Sequence, residues 1–404
     1  MNKKKIVIIG GGAAGFFCAA NLDPDKWNVT ILEQQSDVLQ KVKISGGGRC
    51  NVTHACFDPR ELVEFYPRGN KELRSVFSRF QPGDTIHWFD ERKVPLVAEQ
   101  DNRMFPQSNS SQSIIDVLVN EVVGKGFEIK TRSEVSAIEF DGSHFHIKTT
   151  AGNISADVVV YTTGSSPKSL QLIQQLGHQV VAPVPSLFTF NIKNELLKDL
   201  PGTTFPNAQV SIPELGTEES GPLLITHWGL SGPAILKLSA WKAREIASCN
   251  YRFSVVVNFL GMSDKNATEV FLKFKKENPK KSVGSSKIYD ITNRFWHRVL
   301  WLSKVDLEKS ISAVSAKELQ QIVLNLCKTT MEVTGKSTHK DEFVTAGGVD
   351  LKEINFKNMS SKILPHFYLA GEVLNIDAVT GGFNFQHCWS EGWIIAQDLN
   401  AVEI

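Results

Sequence analysis

The feature that most narrows what this chain can fold into is the run Gly10-Gly11-Gly12-Ala13-Ala14-Gly15, which fits the pattern GxGxxG. The pattern alone is weak, but its setting here is demanding. Ile6-Val7-Ile8-Ile9 before it is short, β-branched and wholly apolar, as suits a strand buried on both faces of a parallel sheet. After it, the small and apolar residues from Ala13 to Leu22 read as a helix packed closely on that sheet. Val29-Thr30-Ile31-Leu32 then reads as a second buried strand ending at the acid Glu33. Together these make the opening of a βαβ unit.

In such a unit the first glycine, Gly10, permits the tight turn. The second, Gly12, lets a pyrophosphate approach the backbone, and the third, Gly15, lets helix and strand pack closely. The helix start at Ala13 and Ala14 offers unpaired N–H groups and a partial positive charge to the phosphates. Glu33 accepts hydrogen bonds from ribose hydroxyls, and its charge disfavours a 2′-phosphate. The loop alone does not tell one dinucleotide from another. The segment Lys43-Ile44-Ser45-Gly46-Gly47-Gly48-Arg49-Cys50-Asn51-Val52-Thr53 bears on that, because flexible glycines flanked by Lys, Ser, Arg and Asn could close over a second polar or anionic part of a long cofactor.

At 404 residues the chain exceeds the ~250–300 residues at which a single core usually stops growing, so more than one domain is expected. Phe127 to Thr131, Val135 to Phe140 and Phe145 to Thr149 read as a small antiparallel meander, turning at Asp141-Gly142. Asp157 to Tyr161 returns to the buried-strand pattern and stops at Thr162-Thr163-Gly164, a loop expected near the cofactor. From Phe188 the pattern changes to strands (Leu187 to Ile192, Phe253 to Phe259) and helices (Thr268 to Lys276, Thr292 to Leu302, Ala316 to Lys328). Phe367 to Gly371 is again an apolar strand ending in glycine, and Ser390 to Leu399 a closing helix. The expected fold class is α/β: a discontinuous Rossmann-like cofactor domain, residues 1–187 and 345–404, interrupted by a β-plus-helical domain at 188–344 that would take the substrate.

The chain resembles the BaiN-type family of FAD-dependent oxidoreductases, which includes proteins labelled aminoacetone oxidases. Ser45 to Asn51 is the most specific string, followed by Arg103-Met104-Phe105-Pro106, Thr226 to Pro233, Thr345-Ala346-Gly347-Gly348-Val349 and Leu369 to Leu374. The last string, Asp377-Ala378-Val379-Thr380-Gly381-Gly382-Phe383-Asn384-Phe385-Gln386, departs from relatives, which more often carry Asp at 375, Gly at 378 and Tyr at 383. The resemblance implies non-covalent FAD, with Arg49 and Asn51 beside it. Gly371, Glu372, Asp377, Gly381, Gly382, Phe383 and Asn384 would surround its ribityl-pyrophosphate and flavin parts. Lys43, Ser45, Gly46 and Cys50 come from the Lys43 to Thr53 segment read above, although Cys50 reads more simply as packing. A Gly-Gly loop before a helix again presents N–H groups, here to a flavin carbonyl that gains negative charge on reduction.

No second GxGxxG is present, so NADH or NADPH is read as a transient reductant at the flavin face, or as no reductant at all. His54, His227 and His387 are each more simply structural, so the catalytic acid is left unassigned. The six cysteines have no CxxC or metal-ligand spacing and read as reduced thiols. Glycines from Gly10 cut the first apolar run far below membrane-span length, so a cytoplasmic protein without membrane contact is expected. The net charge of +1 names no partner, but residues 264–304 hold ten Lys/Arg against four acids. With Trp296 and Trp301 nearby, that basic stretch could meet an RNA backbone. Three functions follow in order: a small-molecule oxidoreductase acting on an alkene or an amine, a reductase of uracil in RNA, and a flavin-binding protein without turnover.

Overall fold

The computed structural model describes residues 3–337 and 344–402. Residues 1–2, 338–343 and 403–404, which fall within the domain spans read from the sequence, lie outside the described residues. The described chain divides into two compact units. One runs to Pro185 and resumes in the C-terminal segment, and the other begins at Ser186.

The first unit is built on a seven-stranded sheet. Its centre is Lys4–Ile9, paired in parallel with Trp27–Leu32 on one side and with Val158–Tyr161 on the other. Phe367–Leu369 extends it in parallel beyond Val158–Tyr161, and Glu128–Lys130 extends it beyond Trp27–Leu32. Ile6, Val7 and Ile8 are fully buried, and a continuous apolar run is what fits a parallel strand covered on both faces. Two short antiparallel strands, Ser360–Ser361 and Ile354–Asn355, finish the far edge.

Two elements differ from the sequence reading. Glu128–Lys130 belongs to the parallel sheet rather than to the meander, because the helix Ser111–Gly124 before it is a crossover that returns the chain parallel to Trp27–Leu32. The meander is instead Val135–Phe140, Phe145–Thr149 and Gly152–Ala156. The closing helix runs Phe383–Ala401, starting seven residues before Ser390. Its first turns are buried on nearly every side, so they carry no amphipathic period to mark the start.

The second unit is a closed six-stranded antiparallel barrel: Thr189–Ile192, Gly229–Ser231, Thr217–Ile225, Thr204–Ile212, Phe253–Asn258 and Thr329–Ser337, in spatial order. Phe190, Phe205, Val210, Ile225, Val255 and Val257 are all at most 1% exposed, so these strands contribute to a packed core. Helices Asp264–Glu277, Asn293–Leu302 and Ala316–Cys327 belong to the same unit, the last opened by a reciprocal Ser315–Glu318 capping box. Trp296 is a core residue here, 3% exposed, with Nε1 donating to the Val283 carbonyl at 2.9 Å. Only Trp301 of the expected aromatic pair faces outward, at 61% exposure. Among the described residues no helix is long and apolar enough to cross a membrane.

Candidate functional site

The glycine loop sits at the carboxyl end of the central strand. Gly10 has φ +111°, and a Cβ there would lie 2.4 Å from the Thr162 carbonyl oxygen. A Cβ on Gly15 would lie 2.4 Å from the Gly10 oxygen and 2.6 Å from Thr162 Oγ1, so only glycine lets the helix Ala13–Asn21 sit this close to the sheet. Gly12 is the opposite case: a Cβ there meets nothing within 4 Å. It is the N-cap of that helix, its backbone is extended (φ −93°), and no side chain caps the helix start. Gly12 therefore borders open space next to N–H groups that have no intrahelical partner. Glu33 Oε2 accepts from Gly11 N at 2.9 Å and Oε1 from Gln35 N at 2.8 Å, which holds the carboxylate against the loop.

Two more loops reach the same edge from neighbouring parallel strands. Thr163 Oγ1 pairs with Ser169 Oγ, and a Cβ on Gly164 would come 3.9 Å from Glu372 Oε2. Gly371 (φ +80°) lies beside the loop helix, where a Cβ would come 3.2 Å from Ala14 Cβ. Glu372 is paired with Lys41 and accepts from Thr345 N at 3.1 Å. Clefts outside the carboxyl ends of parallel strands are where open α/β sheets bind ligands.

A second cluster forms around Gly381 (φ +138°) and Gly382 (φ +92°), which cap the closing helix without a side-chain bond. A Cβ on Gly382 would lie 2.5 Å from the Thr53 oxygen. Asn51, with its amide turned to satisfy both ends, accepts from Gly382 N at 2.9 Å and donates to the Thr53 oxygen at 3.0 Å. Asn384 folds back on the loop, accepting from Ala378 N at 3.0 Å and donating to Ala378 O at 3.1 Å. Asp377 is fully buried and forms a two-pronged ion pair with Arg68. Phe383 is 2% exposed and stacks on His54 (ring centroids 4.6 Å apart) and on Phe65 (4.3 Å).

The Ser45–Asn51 string is no regular helix: Ser45 is extended, and Gly46, Gly47 and Gly48 all have positive φ. Gly47 and Gly48 are exposed, and a Cβ on either meets nothing within 4 Å. Ser45 Oγ donates to the Val42 oxygen, and Lys43 is exposed. The Arg49 guanidinium lies 4.1 Å over the Phe105 ring and pairs with Glu99 at 2.6 Å. Cys50 is fully buried, and burial pushes its thiol up to about 12, which makes it a packing residue.

The structure thus brings together Gly10, Gly12, Ala13, Ala14, Gly15, Glu33, Thr163, Gly164, Gly371 and Glu372 at one edge. Asn51, Gly381, Gly382 and Phe383 form the second cluster. The side chains of Arg49, Asn51, Asp377 and Asn384, read from the sequence as lying by the cofactor, have protein partners that brace these loops. Two successive positive-φ glycines need such bracing. The sequence reading missed Asn375, whose Oδ1 is buried with no partner among the described residues. Its signal was present, since 375 is a position where relatives more often carry an acid. His387 is 1% exposed, and its Nδ1 lies 3.0 Å from fully buried Glu391, whose Oε2 accepts from Gly371 N at 2.6 Å. His227 is exposed on the other unit.

Residues 4–398 match the family model described as the HI0933-like protein Rossmann domain. The chain belongs to this family. As an HI0933-like protein of the BaiN type it is an FAD-dependent oxidoreductase. It is 28% identical to the ribosomal RNA dihydrouridine synthase of Escherichia coli, covering 100% of both chains. It is 26% identical to the 3-dehydro-bile acid delta(4,6)-reductase of Clostridium scindens, covering 96% of this chain and 97% of that one. Among solved structures, the 3-ketosteroid-delta4-(5alpha)-dehydrogenase of Rhodococcus jostii is similar, with a TM-score of 0.49 at 11% identity over 98% of this chain and 97% of that one. The HI0933-like site fits FAD on its own geometry. Open space lies at Gly12, an uncapped helix start beside it, an acid at the loop, and an unpartnered buried amide oxygen at Asn375.

Proposed function

We propose that this oxidoreductase saturates the C5=C6 bond of a uracil in RNA, with NADH or NADPH as the reductant that recharges its flavin. FAD, when bound, supplies the hydride. The N–H groups at Gly12, Ala13 and Ala14 hold the pyrophosphate, and Glu33 holds the adenosine ribose. Asn375 and the Gly381-Gly382 loop take the ribityl and pyrimidine end. There the start of the closing helix stabilises charge that develops on reduction.

Both curated relatives are named for products or activities that saturate a carbon–carbon double bond, one in RNA and one in a bile acid. The observation that carries the RNA reading is the surface of the second unit. Lys265, Lys273, Lys276, Lys280, Lys287 and Lys304 are all exposed, and none has an ion pair or side-chain hydrogen bond among the described residues. Trp301, in the same stretch of sequence, is exposed, with the Arg298 guanidinium 5.7 Å from its ring. Unpaired cations and an exposed aromatic ring match a phosphate backbone and an unstacked base, whereas reduction of a small enone requires neither. We further propose that residues 188–344 form the substrate domain.

The test is anaerobic. NADPH-reduced enzyme is mixed with a uridine-containing ribosomal RNA transcript and, separately, with a cyclic enone. Return of the oxidised flavin spectrum with RNA, together with dihydrouridine in the digested product, supports the reading. Return with the enone alone refutes it in favour of a small-molecule reductase.

A further inference from the structure

A uracil that takes hydride from a flavin must offer it a ring face, so the base has to leave its own stack first. We infer that the RNA recognised by this protein is an unpaired strand, and that Trp301 is the platform on which one of its bases stacks. The inference rests on the RNA reading proposed above and narrows it from RNA in general to unpaired RNA.

The helix Asn293–Leu302 is two-sided. Phe295, Trp296, Val299 and Leu300 are at most 3% exposed and supply its share of the core. Arg294, Arg298 and Trp301, four and then three residues apart, follow one another along another face. Trp301 is 61% exposed, so the core draws little from it. Among the described residues its side chain has one ring or charge contact, the Arg298 guanidinium 5.7 Å from the ring centroid, and no hydrogen bond. Most of the indole is therefore open to a planar partner.

The charges flanking the ring indicate what kind of planar partner. Arg298 donates to the Glu195 oxygen at 3.0 Å, and Arg294 donates to the Asp199 oxygen. A carbonyl orders a guanidinium without cancelling its charge. The carboxylates of Glu195 and Asp199, 3.9 and 3.8 Å from Arg298, offset that charge only in part. On the other side of Trp301 in the chain, Lys304 is exposed and has no ion pair or side-chain hydrogen bond among the described residues. A flat ring with a cation on either side of it in the chain suits a base with a phosphate on either side. In a duplex the base faces are covered by their neighbours, and the indole would gain nothing from it. An unpaired strand offers both face and phosphate. Stacking of this kind is tolerant of sequence, so Trp301 selects an unpaired strand and leaves the choice of uracil to the flavin site.

The experiment compares wild type with W301A, W301F and the control W241F, which changes another partly exposed tryptophan of the same unit, all as oxidised holoenzymes. Anisotropy at low salt measures binding of a uridine-rich single strand and of the same strand annealed to its complement. Tryptophan emission is recorded in the same titrations. Wild type is expected to bind the single strand at least about tenfold more tightly than the duplex, and to lose tryptophan emission as it binds. W301A should lose roughly 5- to 150-fold in single-strand affinity, the range for one base stacked on an aromatic ring, while keeping its FAD and its duplex affinity. W301F should keep most of the affinity but lose the emission change, and W241F should match wild type. Equal affinity of wild type for single strand and duplex overturns the inference. So does single-strand binding by W301A within about twofold of wild type, or an equal loss on both RNAs. An emission change in W301F as large as that of wild type also overturns it, and this readout stands even if W301A fails to fold. If wild type binds neither RNA and forms no dihydrouridine, the RNA reading falls and takes this inference with it. If wild type forms dihydrouridine while W301A binds like wild type, only the stacking platform falls.

Discussion

Gly12 and Gly15 are three residues apart, yet their replacement by alanine is expected to fail in opposite ways. At Gly12 the backbone is extended and the added methyl meets nothing within 4 Å, so the apoprotein should fold with its stability nearly unchanged. The methyl instead occupies the approach to the helix N–H groups. Losing two charge-assisted hydrogen bonds to phosphate, each worth about 1.5–3 kcal/mol, costs about 3–6 kcal/mol, or roughly 10²–10⁴-fold in FAD affinity. At Gly15 the methyl lies 2.4 Å from a carbonyl oxygen, and the helix must lift off the sheet. Overpacking of that kind costs about 1–3 kcal/mol of stability, or roughly 2–12 °C in Tm for a unit of this size. The assay is scanning calorimetry of both apoproteins, followed by titration with FAD. The Gly12→Ala apoprotein should melt like wild type and gain little from FAD, whereas wild type gains about 2.7 kcal/mol at a hundredfold excess over Kd. Wild-type FAD affinity in Gly12→Ala, or equal destabilisation of the two apoproteins, would refute the assignment of the open space to the pyrophosphate.

Glu33→Ala should weaken FAD by about 1.5–3 kcal/mol without abolishing binding, since the helix N-terminus remains, and reconstitution titrations measure it. Replacing Lys273, Lys276, Lys280 and Lys287 with alanine should flatten the slope of log K for single-stranded RNA against log salt by up to about 3, measured by anisotropy. Lys275 is left in place, because its Nζ is bound to the Val314 oxygen. His387 should make stability fall with rising pH: burial works against its charge, but Cys388 and the Glu391 carboxylate raise its proton affinity well above the ordinary range. A raised folded-state pKa contributes stability that is complete below about 6.5 and lost as pH climbs through the raised value, so urea unfolding across pH should show a downward slope that H387Q removes.

The cofactor loop could be read locally because each of its requirements is local. A β-branched run, three glycines at fixed spacing and an acid at the next strand end constrain backbone conformation within some thirty residues. Glu128–Lys130 was misassigned for the converse reason: a short strand of alternating charge has no pattern of its own, and its partner is fixed by the helix that precedes it. The barrel hairpin Thr204–Ile212 and Thr217–Ile225 was not read as strands, since Pro206 interrupts the first and Gly221-Pro222 the second. Side-chain partners were the least legible part. Asp377 meets Arg68, and Asn51 meets Gly382, across more than three hundred residues of chain. No local pattern distinguishes an amide that holds a loop from one that holds a ligand.

The same long-range closure explains why the domain is discontinuous. Two helices whose uncapped N-termini border the site, Ala13–Asn21 and Phe383–Ala401, come from opposite ends of the sequence and pack against each other. Their contact is set by Gly392, where a Cβ would lie 2.7 Å from the Ala14 oxygen and 3.0 Å from Cys18 N. Glu391, the residue before it, ties the closing helix to Gly371, which in turn abuts Ala14. The spacing between the two helix starts is therefore fixed by close-packed backbone rather than by the mobile ends of side chains. FAD, whose pyrophosphate is joined to the flavin ring through the ribityl chain, needs those two donor groups at a constant separation. A glycine-mediated helix crossing provides it, and none of these contacts runs through the second unit.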